Sequence, residues 1–301
     1  MEVETEQRQE TMSAAIGGVR QPHMLRVGGR LMAFDTPVVM GILNVTEDSF
    51  YSGCRCTDTE ALDARVQQIV EEGAGIIDVG ACSTRPGSEP VSPEVEEKRI
   101  VTALERVRAI SKTIPISVDT YRASVARSAI EKFNVEIIND ISSGEMDAEM
   151  FPLIEETKVA YILTHIQGTP TTMQQAPHYD DLMSEVLNFF AQRVMRLQQM
   201  GADNLVIDPG FGFGKTVAEN YELLKNLRMF GEFGFPVLAG LSRKSMLYKL
   251  LNTTPAGALE ATQSVDTIAL LNGAHILRVH DVLPAVQAVK IHKMYEAQPS
   301  W

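Results

Sequence analysis

Residues 38–44, VVMGILN, form an apolar run that stops at one amide side chain, Asn44. The run is too short for a buried helix and is aliphatic throughout, which reads as a strand covered on both faces. The same figure recurs seven more times. GIIDVG (75–80) runs into Ser83-Thr84-Arg85, PISV (115–118) ends at Asp119, and EII (136–138) ends at Asn139-Asp140. VAYIL (159–163) ends near His165 and Gln167, and LVI (205–207) ends at Asp208. PVLAG (236–240) ends at Ser242-Arg243-Lys244, and HIL (275–277) at Arg278 and His280. Segments of helical periodicity separate them. Eight such units predict an α/β fold, a (β/α)8 barrel with one site on the C-terminal face of its strands.

Working outward, the periodicity predicts helices over about 59–73, 93–112, 121–133, 146–157, 180–200, 217–230, 255–272 and 281–295, with a short extra one near Arg243. Ser92-Pro93-Glu94 opens the second of these as an N-cap followed by Pro at the first helical position. Ahead of the barrel, Gly28-Gly29 divides two short alternating stretches within 24–36. That is a hairpin signal, placed to plug the bottom of the barrel. Residues 1–20 are polar and are expected to form a flexible tail, leaving 21–301 as a single domain.

A net charge of −12 argues against a general nucleic-acid or membrane-surface partner. An anionic substrate would then need a local basic pocket. The three cysteines, Cys54, Cys56 and Cys82, are too few and too oddly spaced for a disulfide framework or a zinc site. No apolar run approaches the 18 or so residues of a membrane span. The polar start MEVETEQRQE does not read as a signal peptide, so the cytoplasm is the expected compartment.

DPGFGFGKT (208–216) invites a nucleotide-loop reading, but Gly210 stands four residues before Gly214 and the phosphate loop needs five. Two readings of its glycines stay open: a left-handed turn with Asp208 bonding loop amides, or close approach of the backbone to a flat ligand. Asp119, Asn139 and Asp208 come from three strand ends. Buried carboxylates need donors, and a 2-amino-4-oxo heterocycle such as a pterin or guanine presents adjacent N–H groups that suit them. Lys244 can supply a donor to the ring carbonyl, or pair internally with Asp208 or Asp119. A second, cationic group comprises Arg85, Arg278 and His280 with the hydroxyls of Ser83 and Thr84, which suits a phosphate or diphosphate. Asn44 offers an oxygen to Mg2+. His165 reads equally as a ligand group or a packed side chain. His275 is expected in the core, and His23, His178 and His292 at the surface.

GILNVTEDSF (41–50), STRPG (83–87), SVDT (117–120), INDIS (138–142), HIQGTP (165–170), DPGFGFGK (208–215), SRKS (242–245) and RVHDV (278–282) occur in this order. Together they resemble the dihydropteroate synthases, of the pterin-binding barrel superfamily. The resemblance implies condensation of a dihydropterin-methyl diphosphate with p-aminobenzoate to dihydropteroate and diphosphate. It implies that Asp119, Asn139, Asp208 and Lys244 hold the pterin, and that Asn44, Arg85, Arg278 and His280 hold the diphosphate with Mg2+ near Asn44. Thr84, Pro86, Phe213 and Ser242 would form the p-aminobenzoate subsite, covered by Phe50. Asn44, Arg85, Lys244, Arg278 and His280 would be the catalytic set, in a homodimer. Glu47 and Ser52 stand where this family usually carries Pro and Asp. The competing readings are a folate-dependent methyltransferase of the same superfamily and a catalytically silent pterin-binding barrel.

Overall fold

The computed structural model of the protein describes residues 23–45, 55–82, 91–169, 173 and 177–299. It opens with an antiparallel hairpin, β1 (Met24–Val27) and β2 (Arg30–Ala33). Gly28 and Gly29 make its turn with φ of 55° and 75°, the left-handed pair that matches the twist of two joined strands. Parallel strands follow: β3 (Val38–Asn44), β4 (Ile76–Gly80), β5 (Ile116–Asp119), β6 (Ile137–Asp140), β7 (Ala160–Thr164), β8 (Leu205–Asp208), β9 (Leu238–Ala239) and β10 (Ile276–Val279). Their order is β8-β7-β6-β5-β4-β3-β10-β9, and a parallel bridge from Ile207 to Val237 joins the two ends. The barrel expected from VVMGILN and its recurrences is the fold observed.

The helices are α1 (Arg55–Glu71), α2 (Pro93–Ile110), α3 (Ala123–Phe133), α4 (Met150–Thr157), α5 (Leu182–Gln199), α6 (Val217–Lys225), α7 (Ser245–Leu250), α8 (Leu259–Leu271) and α9 (Val282–Glu296). Ser92 caps α2 as expected, its Oγ accepting from Val95 N at 3.4 Å. Helices α4, α6 and α8 are shorter than the periodicity suggests, and for α4 and α6 the local reason is visible. Past α6, Asn226 turns its Nδ2 onto Glu222 O at 2.9 Å, and the chain tightens into a 3-10 helix, Leu227–Phe233. Ahead of α4, the Asp147 carboxylate accepts from Ala123 N at 2.8 Å and Glu149 N at 3.0 Å, which ties 147–149 to the start of α3 as a turn.

Strand parity decides what faces where. Val39, Leu43, Ile77, Val79, Ile116, Val118, Leu205, Ile207 and Leu277 pack outward against the helices. The alternate residues face the barrel interior, and their chemistry changes with height. Near the bottom Met40, Ile76, Ile137, Val206, Leu238 and Ile276 form an apolar layer together with Leu25, Val27 and Phe34 of the hairpin segment. The hairpin therefore plugs the barrel, each fully buried aliphatic or aromatic side chain contributing about 1.5–3 kcal/mol. Asn204 stitches it in place: its Oδ1 accepts from Arg26 N and its Nδ2 donates to Arg26 O, both at 2.8 Å. Two residues further along the same strands, the inward positions become Asp78, Asn139, Asp208 and Arg278.

Candidate active site

Cross-strand register brings the polar ends together. Asp119 lies beside Gly80 on one side and Asn139 on the other, and Asn44 is paired with Gly80. A Cβ on Gly80 would stand 3.4 Å from Asn44 Oδ1 and 3.5 Å from Asp119 Cβ, so these two side chains flank the glycine. Arg278 reaches across the interior from β10. Its Nε donates to Asp78 Oδ2 at 2.6 Å and its Nη2 to Asp119 Oδ2 at 2.7 Å. Asn139 Nδ2 donates to the same Asp78 oxygen at 3.2 Å. One guanidinium, two carboxylates and one amide are thus a single connected network at the top of the barrel.

Asp208 closes the other side. Its Oδ1 accepts from Gly210 N at 2.8 Å, and Oδ2 has no protein partner among the described residues. Lys244 follows β9 and donates from Nζ to Phe211 O, with the ammonium 4.2 Å from the centre of the Phe213 ring. Of the two alternatives for Lys244, a direct ion pair with Asp208 or Asp119 is absent among the described residues. The three groups are instead coupled through space. The glycines of DPGFGFGK prove to serve the protein's own packing. A Cβ on Gly210 would meet His165 O at 1.8 Å, and one on Gly212 would press Lys244 Cδ at 3.0 Å. Both residues have positive φ, so the left-handed turn with Asp208 on a loop amide is the arrangement found.

Burial sets the charges. It pushes the Asp119 carboxyl up to about 7 against the opposing charge of Arg278. Burial raises Asp208 as well, with Lys244 opposing. Lys244 is lowered to about 8 and Lys215 to about 7, both by burial. His280 falls to about 4, through burial and then the neighbouring Arg278. It is therefore a neutral imidazole at neutral pH, 3.1 Å from Ser242 Oγ through Nδ1. The cationic corner expected at Arg278 and His280 is less cationic than the sequence suggests, because one charge is shared with two carboxylates and the other is lost.

The sequence matches the family described as "Pterin binding enzyme" over residues 40–280. It is 42% identical over 271 residues to the dihydropteroate synthase of Escherichia coli strain K12, covering 87% of this chain and 93% of that protein. The dihydropteroate synthase of a Synechocystis species is 39% identical over 256 residues, 84% of this chain and 88% of that protein. The chain belongs to the dihydropteroate synthase family. It is accordingly a transferase enzyme. Solved members superpose closely. The Xanthomonas albilineans dihydropteroate synthase with 4-aminobenzoic acid gives a TM-score of 0.85 at 37% identity, covering 92% of this chain and all of that one. The same organism's enzyme in complex with 7,8-dihydropteroate gives 0.82 at 36% identity with the same coverage.

Of the residues singled out by their resemblance to the dihydropteroate synthase motifs, Asn44, Asp119, Asn139, Asp208, Phe213, Ser242, Lys244, Arg278 and His280 lie at the strand ends and loops of this one barrel face. Phe50, Ser83, Thr84, Arg85 and Pro86 fall outside the described residues, as do Glu47, Ser52 and the 1–20 tail. His165 is a packed side chain, 5% exposed and edge-on to Phe189 at 4.8 Å. His275 holds Val237 N through Nδ1 at 3.1 Å, and His23, expected at the surface, is half-buried against it with ring centres 4.4 Å apart.

Asp78 was the omission. It stands mid-strand in GIIDVG with the inward parity of Ile76, and a lone carboxylate at an inward strand position is a readable signal. Glu96, fully buried in the first turn of α2, also gave no warning, since acids are ordinary there. It accepts from Thr120 Oγ1 at 2.6 Å and pairs with Arg122. Arg122 in turn donates to Val91 O at 2.8 Å and lies 3.8 Å from Cys82 Sγ. These contacts link the start of α2 to the residue that follows Asp119.

Among the described residues no group of three or more His, Cys, Asp or Glu side chains is placed to hold a metal. The half-buried Asn44 oxygen at the strand end is a hard donor. It fits a cation such as Mg2+, which binds few protein ligands and completes its shell with phosphate and water.

Proposed function

We propose that the protein condenses (7,8-dihydropterin-6-yl)methyl diphosphate with p-aminobenzoate to give 7,8-dihydropteroate and diphosphate. The observation that carries this reading is the buried top layer of the barrel. Asp78, Asp119, Asn139, Asp208, Lys244 and Arg278 converge there on one mouth, in a chain of the dihydropteroate synthase family. Asp119, Asn139 and Asp208 offer acceptors to the ring N–H and NH2 groups, and Lys244 donates to the ring carbonyl. Asn44, Arg85, Arg278 and His280 take the diphosphate, His280 as a neutral hydrogen-bonding group. Phe50, Thr84, Pro86, Phe213 and Ser242 form the p-aminobenzoate side.

The chemistry follows from the charges. The carbon–oxygen bond to diphosphate breaks with its electron pair leaving on oxygen, and a pterin methylene cation remains. Asp78, Asp119 and Asp208 hold carboxyl oxygens at the level of the barrel where this positive charge would develop, and Arg278 and Lys244 fix their surroundings, a preorganised polar site that needs no reorganisation when the cation forms. The amine nitrogen of p-aminobenzoate then bonds to the methylene and loses a proton. No protein nucleophile is required. Mg2+ bound at Asn44 would neutralise charge on the leaving diphosphate. Turnover should require both substrates and Mg2+; a folded enzyme that releases no diphosphate from the complete mixture would exclude the reaction.

No helix among the described residues is long and apolar enough to cross a membrane. A cytoplasmic homodimer completes the proposal. Ile268, Leu271, Ile291, Met294 and Tyr295 of α8 and α9 are exposed apolar side chains of the kind that subunit contacts cover. A monomer by light scattering would rule out the dimer.

Lys244 gives the reading a pH signature. Its protonated form is the donor, and burial places its loss of charge near 8. Lys244 is therefore expected to contribute a fall in pterin affinity above about pH 8 of roughly tenfold per unit, the effect of losing one proton per binding event. Lys244→Met should bind more weakly below pH 8 and lack that alkaline limb. A limb that persists in Lys244→Met assigns it elsewhere.

A further inference from the structure

Lys215 is 4% exposed, and no carboxylate lies within ion-pairing distance of it among the described residues. Its Nζ is instead surrounded by neutral acceptors. Gly210 O lies at 2.9 Å, Phe213 O at 3.0 Å, His165 Nδ1 at 2.9 Å and His165 O at 3.4 Å. His165 is held neutral, its pKa lowered to about 2 by burial and then by Lys215 itself, so Nδ1 is free to accept. Carbonyl oxygens and one imidazole nitrogen around a buried ammonium are the set of acceptors that would hold a free ammonium ion. Where a buried lysine usually touches a carboxylate, Lys215 touches backbone dipoles, and Asp208 acts on it only through space.

These contacts fall on the loop that builds the pterin side of the site. Gly210 gives its N–H to Asp208, Phe213 lies against the Lys244 ammonium, and Phe211, between them, accepts from Lys244. Across from this loop, His165 belongs to the turn after β7, which the backbone at Gly210 touches. Thr216, next in sequence, starts α6 with a capping box, its Oγ1 accepting from Glu219 N while Glu219 Oε2 accepts from Thr216 N at 2.6 Å. Among the described residues Lys215 is the side chain that bonds both turns, between a helix cap and the ligand-facing residues.

We propose that Lys215 is a positioning residue that fills an internal ammonium site, made by the carbonyls of Gly210, Phe213 and His165 and by His165 Nδ1, and that the filled site fixes loop 208–213 for pterin binding. The aliphatic stem contributes packing; the ammonium contributes the geometry. Its link to pterin rests on the function proposed above, whereas the existence of the site does not.

The experiment uses the full-length protein as Lys215→Ala and Lys215→Met. Alanine deletes a propylammonium fragment, so propylammonium chloride is the probe, with sodium chloride at equal ionic strength as control. Propylammonium is expected to raise the melting temperature of Lys215→Ala in a saturable way and to leave the parent and Lys215→Met unmoved. Pterin affinity in calorimetry should fall roughly tenfold or more in both variants, the loss expected for charge-assisted bonds. Propylammonium should recover it in Lys215→Ala alone. If Lys215→Ala refolds only with propylammonium present, the site is supported in the same way. No propylammonium-specific gain in melting temperature or refolding overturns the site. A gain in stability without any change in pterin affinity keeps the site and removes its role in binding. Parent-like pterin affinity in Lys215→Met shows that only the stem matters, which overturns the proposal.

Discussion

Replacing Asp78 by alanine is expected to destabilise the fold by about 3–5 kcal/mol, the range for removing one partner of a buried ion pair. Asp78 is fully buried, and its Oδ2 is shared between the Arg278 guanidinium and the Asn139 amide. Burial alone would pull the Arg278 charge down; Asp78 and then Asp119 hold it above its usual range. Without Asp78 the guanidinium retains only Asp119, and Asn139 loses its acceptor. Water cannot repair this cheaply, because Asp78 is fully buried within that layer. The melting temperature should drop by about 6 °C or more, given roughly 2–4 °C per kcal/mol for domains of a slightly smaller size. Asp78→Asn keeps the shape and one acceptor, so its loss should be smaller. An Asp78→Ala protein that melts with the parent would mean that Asp119 alone compensates the guanidinium.

How much of this was legible can be argued residue by residue. The barrel was legible because parity and length together specify a strand covered on both faces, and eight such runs leave few other closures. Asp119, Asn139 and Asp208 were legible because each ends its strand. Asp78 is less legible because it lies inside an apolar run, GIIDVG, and does not end it. The partners of Arg278 were hidden for a different reason. Its carboxylates are 200 and 159 residues away in sequence, and no local pattern encodes which strand end a long side chain crosses to. Lys215 was read only as the end of a failed nucleotide motif; that its ammonium would be met by carbonyls depends on how closely two turns approach.

Charge in this layer favours binding at the expense of the empty fold, and Asp208 is where the two can be separated. Asp208→Asn is expected to weaken pterin binding by about 2–4 kcal/mol, roughly 30- to 700-fold. With Oδ1 engaged by Gly210 N, the amide would keep its oxygen there and turn Nδ2 toward the ligand, setting a donor against the ring donors. Stability should move the other way. Burial raises the Asp208 carboxyl above its ordinary value, so the folded state favours the proton. Such a group stabilises the fold at low pH, and that contribution is lost as pH rises through the folded-state value. Above that value the ionised side chain is a net burden on the unliganded protein, and the neutral amide removes it. The empty Asp208→Asn protein should therefore melt at or above the parent's temperature while losing most of its pterin affinity. Titration calorimetry and thermal melts on one preparation separate the outcomes. Weaker binding with a lower melting temperature would mean that Asp208 is a structural anchor of its loop, and unchanged binding would remove it from the pterin pocket.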